Sequence, residues 1–223
     1  MSSRKDEKER LRQEREQREA AAAAKAKRAR LLQMIGGVVV ACAIIAGVAV
    51  AVSSSGGGGD DDVDDAAMKA AAQAAGCVYR AFPDEGQDHV TGKLTTADFK
   101  TNPPTSGAHN PEPAPDGSYI AGNEPEIANW VHTLEHGRIV LQYRPGVDKA
   151  VVTALEGLFK EDLAGSGSGY HSVLMRNNSK MPFQVAAVAW RHFMACREFT
   201  PKSVEALRAF RTELVDKAPE KLP

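Results

Sequence analysis

Hydrophobic positions fall along this chain in three regimes. From Leu31 to Val52 the run LLQMIGGVVVACAIIAGVAVAV has Gln33 as its only strongly polar side chain. At about 1.5 Å per residue such a run crosses roughly 30 Å of hydrocarbon, so the pattern predicts a transmembrane helix over 31–52. Residues 1–30 are the reverse. They are strong helix formers, with Glu and Arg at spacings that allow i,i+4 pairs and Leu11 almost the only apolar anchor. This predicts a charged, solvated helix with no coiled-coil seam. Beyond the apolar run, SSSGGGGDDDVDD cannot bury a core and its like charges repel, so 53–76 reads as a linker that ends in a short Ala-rich helix, Ala66 to Ala75.

The third regime, 77–217, mixes both periodicities. Up to about Tyr119 it is rich in Pro, Gly, Asn and Asp and reads as loops and turns. Arg138 to Arg144 is a strand by its β-branched and aromatic content. Asp148 then caps a helix to Leu163, with Val151, Val152, Leu155, Leu158 and Phe159 on one stripe. Ser172 to Arg176 and Gln184 to Trp190 are short strands, joined in hairpin fashion across the turn residues Asn177 to Pro182. Pro201 to Val215 is a last helix, with Ser203 as a cap and Val204, Leu207, Phe210 and Leu214 inward. The order predicts an α+β fold: a small mixed or antiparallel sheet with packed helices, preceded by one transmembrane helix.

Charge gives the membrane segment a direction. The net charge of -1 hides an asymmetry, because residues 1–30 hold eleven basic and six acidic side chains. Lys25, Lys27, Arg28 and Arg30 crowd the N-terminal edge of the apolar run, and Asp60, Asp61, Asp62, Asp64 and Asp65 follow it. A cytoplasmic excess of Lys and Arg sets orientation, so the expected product is a single-pass cell-membrane protein with its N-terminus inside and its C-terminal domain extracytoplasmic. The apolar run is too long, and begins too late, for a cleaved secretory signal. Cys77 follows the run at too great a distance for lipoprotein acylation. The acidic remainder, with seven Phe, two Trp and four Tyr, argues against a nucleic-acid reader, whose footprint is a basic face with stacking aromatics. The one partner implied is membrane lipid, met by the basic end of the first segment; no protein partner is legible. With Cys42 inside the apolar run, Cys77 and Cys196 remain for a single disulfide in an oxidising compartment.

Chemistry concentrates at His132-Thr133-Leu134-Glu135-His136. If Pro125 opens a helix that Gly137 closes, His132 and His136 stand one turn apart on one face. If Trp130 to Leu134 instead pairs with Ile139 to Tyr143, the Glu-His-Gly segment is a hairpin turn. Upstream, Pro103-Pro104 stiffens the loop that presents His109, and a fixed ligand loses less entropy on binding.

The run Pro103-Pro104-Thr105-Ser106-Gly107-Ala108-His109, then Gly117 and Tyr119, then Val131 to Val140 (VHTLEHGRIV), resembles the bacterial family called domain of unknown function 3105. The resemblance covers roughly Cys77 to Cys196. It implies a membrane-tethered extracytoplasmic domain and carries no activity. Its histidines correspond to His109, His132 and His136, with His89 as a looser match and an additional candidate ligand.

A metal site of His109, His132 and His136, holding copper or zinc, is the leading functional expectation, since imidazole suits both ions. The competing reading is a metal-free interaction module in which the same rings are hydrogen-bonded structure. Met175, Met181 and Met194 would favour Cu(I) as ligands but sit in apolar strand patterns, where core packing explains them. His132-x-x-Glu135-His136 also matches the inverzincin signature, a zinc hydrolase in which Glu135 stands beside the metal and Glu213 is a nominal distant ligand. Those enzymes carry the motif in the middle of a helix, whereas Gly137 and a strand follow here. No catalytic residue is assigned. Ser106 reads as a loop hydroxyl bonded to backbone, the Gly165 to Gly169 repeat as a loop without a phosphate-binding motif, and His171 and His192 as ordinary residues flanking strands. Glu135 and Arg138 are expected to pair at the turn.

Overall fold

The computed structural model describes residues 63–163 and 165–220. The charged segment 1–30, the transmembrane helix expected over 31–52 and the linker up to residue 62 lie outside the described residues. Among the described residues no helix is long and apolar enough to cross a membrane.

The elements in chain order are α1 (Asp65–Ala75), β1 (Val78–Ala81), β2 (Gly117–Ser118), α2 (Ile127–Glu135), β3 (Ile139–Tyr143), α3 (Lys149–Lys160), β4 (Ser172–Arg176), β5 (Val185–Ala189), β6 (His192–Cys196) and α4 (Pro201–Leu214). Together they are an α+β fold with a six-stranded mixed sheet of order β1-β6-β5-β3-β4-β2. β4 is parallel to both β3 and β2, and every other pairing is antiparallel.

Three of the four described α-helices begin where side-chain chemistry satisfies free N–H groups, whereas α2 starts at Glu126 without a side-chain cap. Asp64 accepts from Ala67 at the start of α1, and Asp148 Oδ1 accepts from Ala150 N at 2.7 Å at the start of α3. At α4 the cap is Thr200, with Pro201 at the first position. Ser203, expected as the cap, lies within the helix and reaches back to accept from Thr200 N at 3.0 Å.

Two expectations are corrected. The strands at Ser172–Arg176 and Val185–Ala189 do not form a hairpin, because β3 lies between them. The partner of β5 in a hairpin is instead β6, joined to it through Trp190 and Arg191. That turn needs φ +63° at Arg191 and contains no Gly or Asn, so the residue chemistry that normally announces such a turn is absent. It is held from outside: Arg191 N donates to Thr105 O at 2.8 Å and Arg191 Nε to Phe82 O at 3.1 Å. β1 was likewise hidden in the stretch read as loops.

Alternation along the strands builds two cores, one on each face of the sheet. Ile139, Leu141, Leu174, Val185, Ala187 and Met194 meet α1, α3 and α4 through Met68, Leu155, Leu158, Leu207 and Phe210. Val140, Val173, Met175, Ala186, Val188 and Phe193 meet α2 through Trp130, Val131 and Leu134, with Phe99, Met181 and Phe183 from loops. Burial on both faces explains why β5 and β6 are buried at every position and read as continuous apolar runs. Met175, Met181 and Met194 are among the largest fully buried side chains. The Cys77 and Cys196 sulfurs stand 2.00 Å apart, joining the chain just before β1 to the end of β6 across 119 residues. For a loop of that size the chain-entropy model gives roughly 4 to 5 kcal/mol, an upper figure.

Candidate metal centre

The face covered by α2 carries the polar cluster. Behind β1 the chain runs as an extended segment alongside the loop that holds His109. Ser106 Oγ accepts from Glu85 N at 3.0 Å, Gly107 N donates to Gly86 O at 3.1 Å, His109 N to Asp88 O at 3.0 Å, and Val90 N to His109 O at 2.8 Å. These bonds set His89 beside His109 in a single parallel bridge, and they account for Ser106 as a loop hydroxyl. The loop is tied in turn to α2, with Asn110 N donating to Ala128 O at 3.1 Å and Ala114 N to Asn129 O at 3.1 Å.

α2 settles the open question of the His-x-x-Glu-His segment in favour of a helix. Residues three and four apart share a face, so His132, Glu135 and His136 all point toward the loop. The helix stops at Glu135, with His136 as its C-cap and Gly137 at φ +78°. A side chain at residue 137 would not fit, since a Cβ there would lie 2.8 Å from the Asp216 Cα. The close approach brings back the tail after α4: Asp216 N donates to Gly137 O at 2.9 Å and Glu220 N to Glu135 O at 3.1 Å.

Four imidazoles and two carboxylates result. The rings of His89, His109 and His132 have centroids 4.7 to 4.9 Å apart, and His132 lies 4.4 Å from His136. One group, His89, His109, His132 and Glu135, can converge on a single ion; a second, His132, His136 and Glu220, shares His132 with it. His109, His132 and Glu135 are 0%, 3% and 2% exposed, whereas the His89 side chain is 46% exposed and opens the cluster to solvent.

Hydrogen bonds define which ring atoms are free. His109 Nδ1 lies 2.7 Å from Gly107 O, and His132 Nδ1 lies 2.6 Å from Asn110 O. A carbonyl can only accept, so each Nδ1 donates and each neutral ring turns the lone pair of Nε2 into the cluster. His109 Nε2 comes within 2.9 Å of Glu135 Oε2, yet the two are not aligned for a hydrogen bond and neither has a hydrogen-bond partner; His89 Nε2 lies 3.9 Å from Glu135 Oε2. His132 Nε2 is 2.8 Å from His136 Nε2, and His136 Nε2 is 3.2 Å from Glu220 Oε2.

Burial governs the charges. Desolvation holds His109, His132 and His136 below the ordinary histidine value, with hydrogen bonds from the first two rings to the Gly107 and Asn110 carbonyls opposing it. It pushes the Glu135 carboxyl up, and the nearby Glu220 adds to that. Uncharged rings whose Nδ1–H is fixed by a carbonyl are in the state that ligates metals; the His109 Nε2 lone pair has no hydrogen-bond partner, while that of His132 is held by His136 Nε2. Ligand atoms about 2.0–2.2 Å from one ion at tetrahedral angles lie roughly 3.3–3.6 Å apart, so the 2.9 Å contact would open by a few tenths of an ångström to admit an ion.

Of the histidines nominated from sequence, His89, His109 and His132 meet in one group, while His136 falls in the second with His132 and Glu220 and does not share a group with His109. Glu135 does not pair with Arg138, whose side chain instead donates to His136 O at 2.8 Å and lies 3.7 Å from Asp116; Glu135 turns inward to the rings. Its place three residues after His132 was the available signal. Glu220 had none, because it reaches the cluster only through the return of the tail past Gly137. Glu213 is engaged elsewhere, accepting from Asp64 N and Lys217 Nζ. His171 pairs with Asp216, and His192 Nδ1 lies 2.9 Å from the Tyr79 hydroxyl.

Residues 89–222 match the model of the family described as "Protein of unknown function (DUF3105)". No curated protein and no solved structure matches the chain.

Proposed function

Because the chain belongs to this family of unknown function, whose description assigns no chemistry, we propose from the site itself that the domain binds one divalent transition-metal ion through His109, His132 and Glu135, with His89 closing the set. The observation that carries this is the pair of buried acceptors, His109 Nε2 and Glu135 Oε2, facing each other at 2.9 Å with no donor between them. With His109 neutral and Glu135 ionised, two lone pairs so placed repel unless a cation lies between them. Imidazole nitrogens with one carboxylate oxygen suit zinc or Cu(II), and the methionines that would favour Cu(I) are committed to the cores.

Glu135 does stand beside the ion position, as a zinc hydrolase requires. It is, however, a buried donor at the end of a helix, and four protein donors complete a tetrahedral sphere with no position left for water. That supports a binding module over a hydrolase. The site is carried on a single-pass membrane protein with its C-terminal domain outside, as the apolar run and its flanking charges imply.

The test is elemental mass spectrometry on the full chain purified in detergent without a histidine tag. We expect close to one zinc or copper per chain in the parent and almost none in a His132→Ala, Glu135→Gln double variant. Chelation should also lower the melting temperature of the parent, since an ion at a thousand times its Kd adds about 4 kcal/mol to the native state. A parent that holds no ion after reconstitution with both metals, and ignores chelator, would leave a metal-free interaction module.

A further inference from the structure

The second group of donors, His132, His136 and Glu220, shares one residue with the first. His132 cannot serve two ions at once. Its Nδ1–H is committed to Asn110 O at 2.6 Å, which leaves one lone pair, on Nε2. The two groups are therefore alternative positions for one ion and not the halves of a dinuclear centre.

They differ in depth and in number of donors. The inner position has four, of which His109 and Glu135 are almost wholly buried. The outer position has three, and its carboxylate belongs to the tail, where the Glu220 side chain is 47% exposed and that of His136 is 11% exposed. Glu220 is anchored by its own backbone, through the bond from Glu220 N to Glu135 O at 3.1 Å, so a solvent-facing carboxylate is fixed against the last turn of α2.

Resting on the metal-binding reading above, we propose that the outer group is a transit position: a divalent cation is first taken from solvent by Glu220 and His136, then passed inward on His132. In the transfer His132 Nε2 keeps its bond while the bonds to His136 and Glu220 break and those to His109, Glu135 and His89 form. No electron moves, and the water around the entering ion is shed in stages. A direct approach has His89 alone to replace that water before the buried donors are reached. Removing the outer donors therefore raises the barrier while leaving every inner ligand in place. Entry and exit slow by nearly the same factor.

The experiment uses the full chain in detergent, stripped of metal and mixed rapidly with Cu(II) alone. Quenching of tryptophan fluorescence reports arrival, because the Trp190 ring lies 6.0 Å from that of His109. Release is followed on mixing the loaded chain with excess chelator. Glu220→Gln, a change on an exposed side chain, and His136→Ala should each slow uptake and release at least tenfold. Both should still end at one ion per chain with Kd changed less than threefold. Unchanged rates would overturn the proposal, as would loss of bound ion at equilibrium in His136→Ala, which would make that ring a resting ligand. Two ions per parent chain at saturation would overturn it by showing independent positions. A parent that takes up no ion at all overturns the metal reading beneath it, an outcome separate from each of these.

Discussion

At the scale of the residue, the cluster sets function against stability. Glu135 is a carboxylate that burial and the neighbouring Glu220 make costly to ionise, and in its ionised form it faces the His109 lone pair with no metal ion between them. Glu135→Gln keeps the shape and removes the charge. In the metal-free chain this substitution should raise stability by about 1 kcal/mol in urea unfolding at neutral pH, while abolishing retention of the ion. A fall in stability would mean that Glu135 is a satisfied structural group. The histidines give a pH signature with a definite sign. Burial holds His109, His132 and His136 below their ordinary value of 6.5, so the unfolded chain takes up their protons first. The stability they contribute is complete above pH 6.5 and is lost as pH falls from there through the lower folded values. Equilibrium dialysis against acid should accordingly show the ion still held at pH 6.5 and released only below it. Release already complete at pH 6.5 would contradict the buried, neutral rings.

Among the elements, the turn after α2 decides whether the outer half of the cluster exists. Gly137 is in the left-handed region and has no room for a side chain. Gly137→Ala should cost about 1–3 kcal/mol, and because the obstructing atoms are the Asp216 backbone, relief must come by displacement of the tail. The inner donors stand on α2 and on the loops of His89 and His109, with the tail touching them only through the bond from Glu220 N to Glu135 O. Thermal denaturation and rapid mixing on the same variant should therefore show lower stability together with slow uptake, with the full complement of ion retained. The elements also show what sequence could and could not reveal. α3 and α4 were legible because each has an apolar stripe and a polar cap. β5 and β6 are buried on both faces, so they carry no alternation, and their turn at Trp190 and Arg191 is fixed by bonds to Thr105 and Phe82 rather than by its own residues. His109, His132 and His136 could be nominated because two share a helical spacing and one follows a proline pair. Glu220 could not, since a long return of the chain brings it to its place.

For the whole molecule, the sheet separates two kinds of work. One face, under α1, α3 and α4, is mainly apolar, with Arg211 buried in it; the other, under α2 and the loops, carries the donors above its own apolar layer. The covalent link from Cys77 to Cys196 belongs to the first face. Replacing both cysteines by alanine should cost up to roughly 4 to 5 kcal/mol and lower the melting temperature of metal-free and metal-loaded chains alike. The increment that the ion adds to each should stay the same within error, as expected of sites with no shared contacts. A loss of that increment in scanning calorimetry would show that the two faces communicate.

The same link also decides how the domain meets mechanical pull. β1 is an edge strand zipped antiparallel to β6, and a zipper of that kind opens one rung at a time when drawn from its end. Tension arriving along the chain from residue 63 reaches Cys77 before it reaches the first rung at Val78. There it passes through a covalent bond into β6, the neighbour of β5 in the interior of the sheet, so the rungs of β1 are sheltered from peeling.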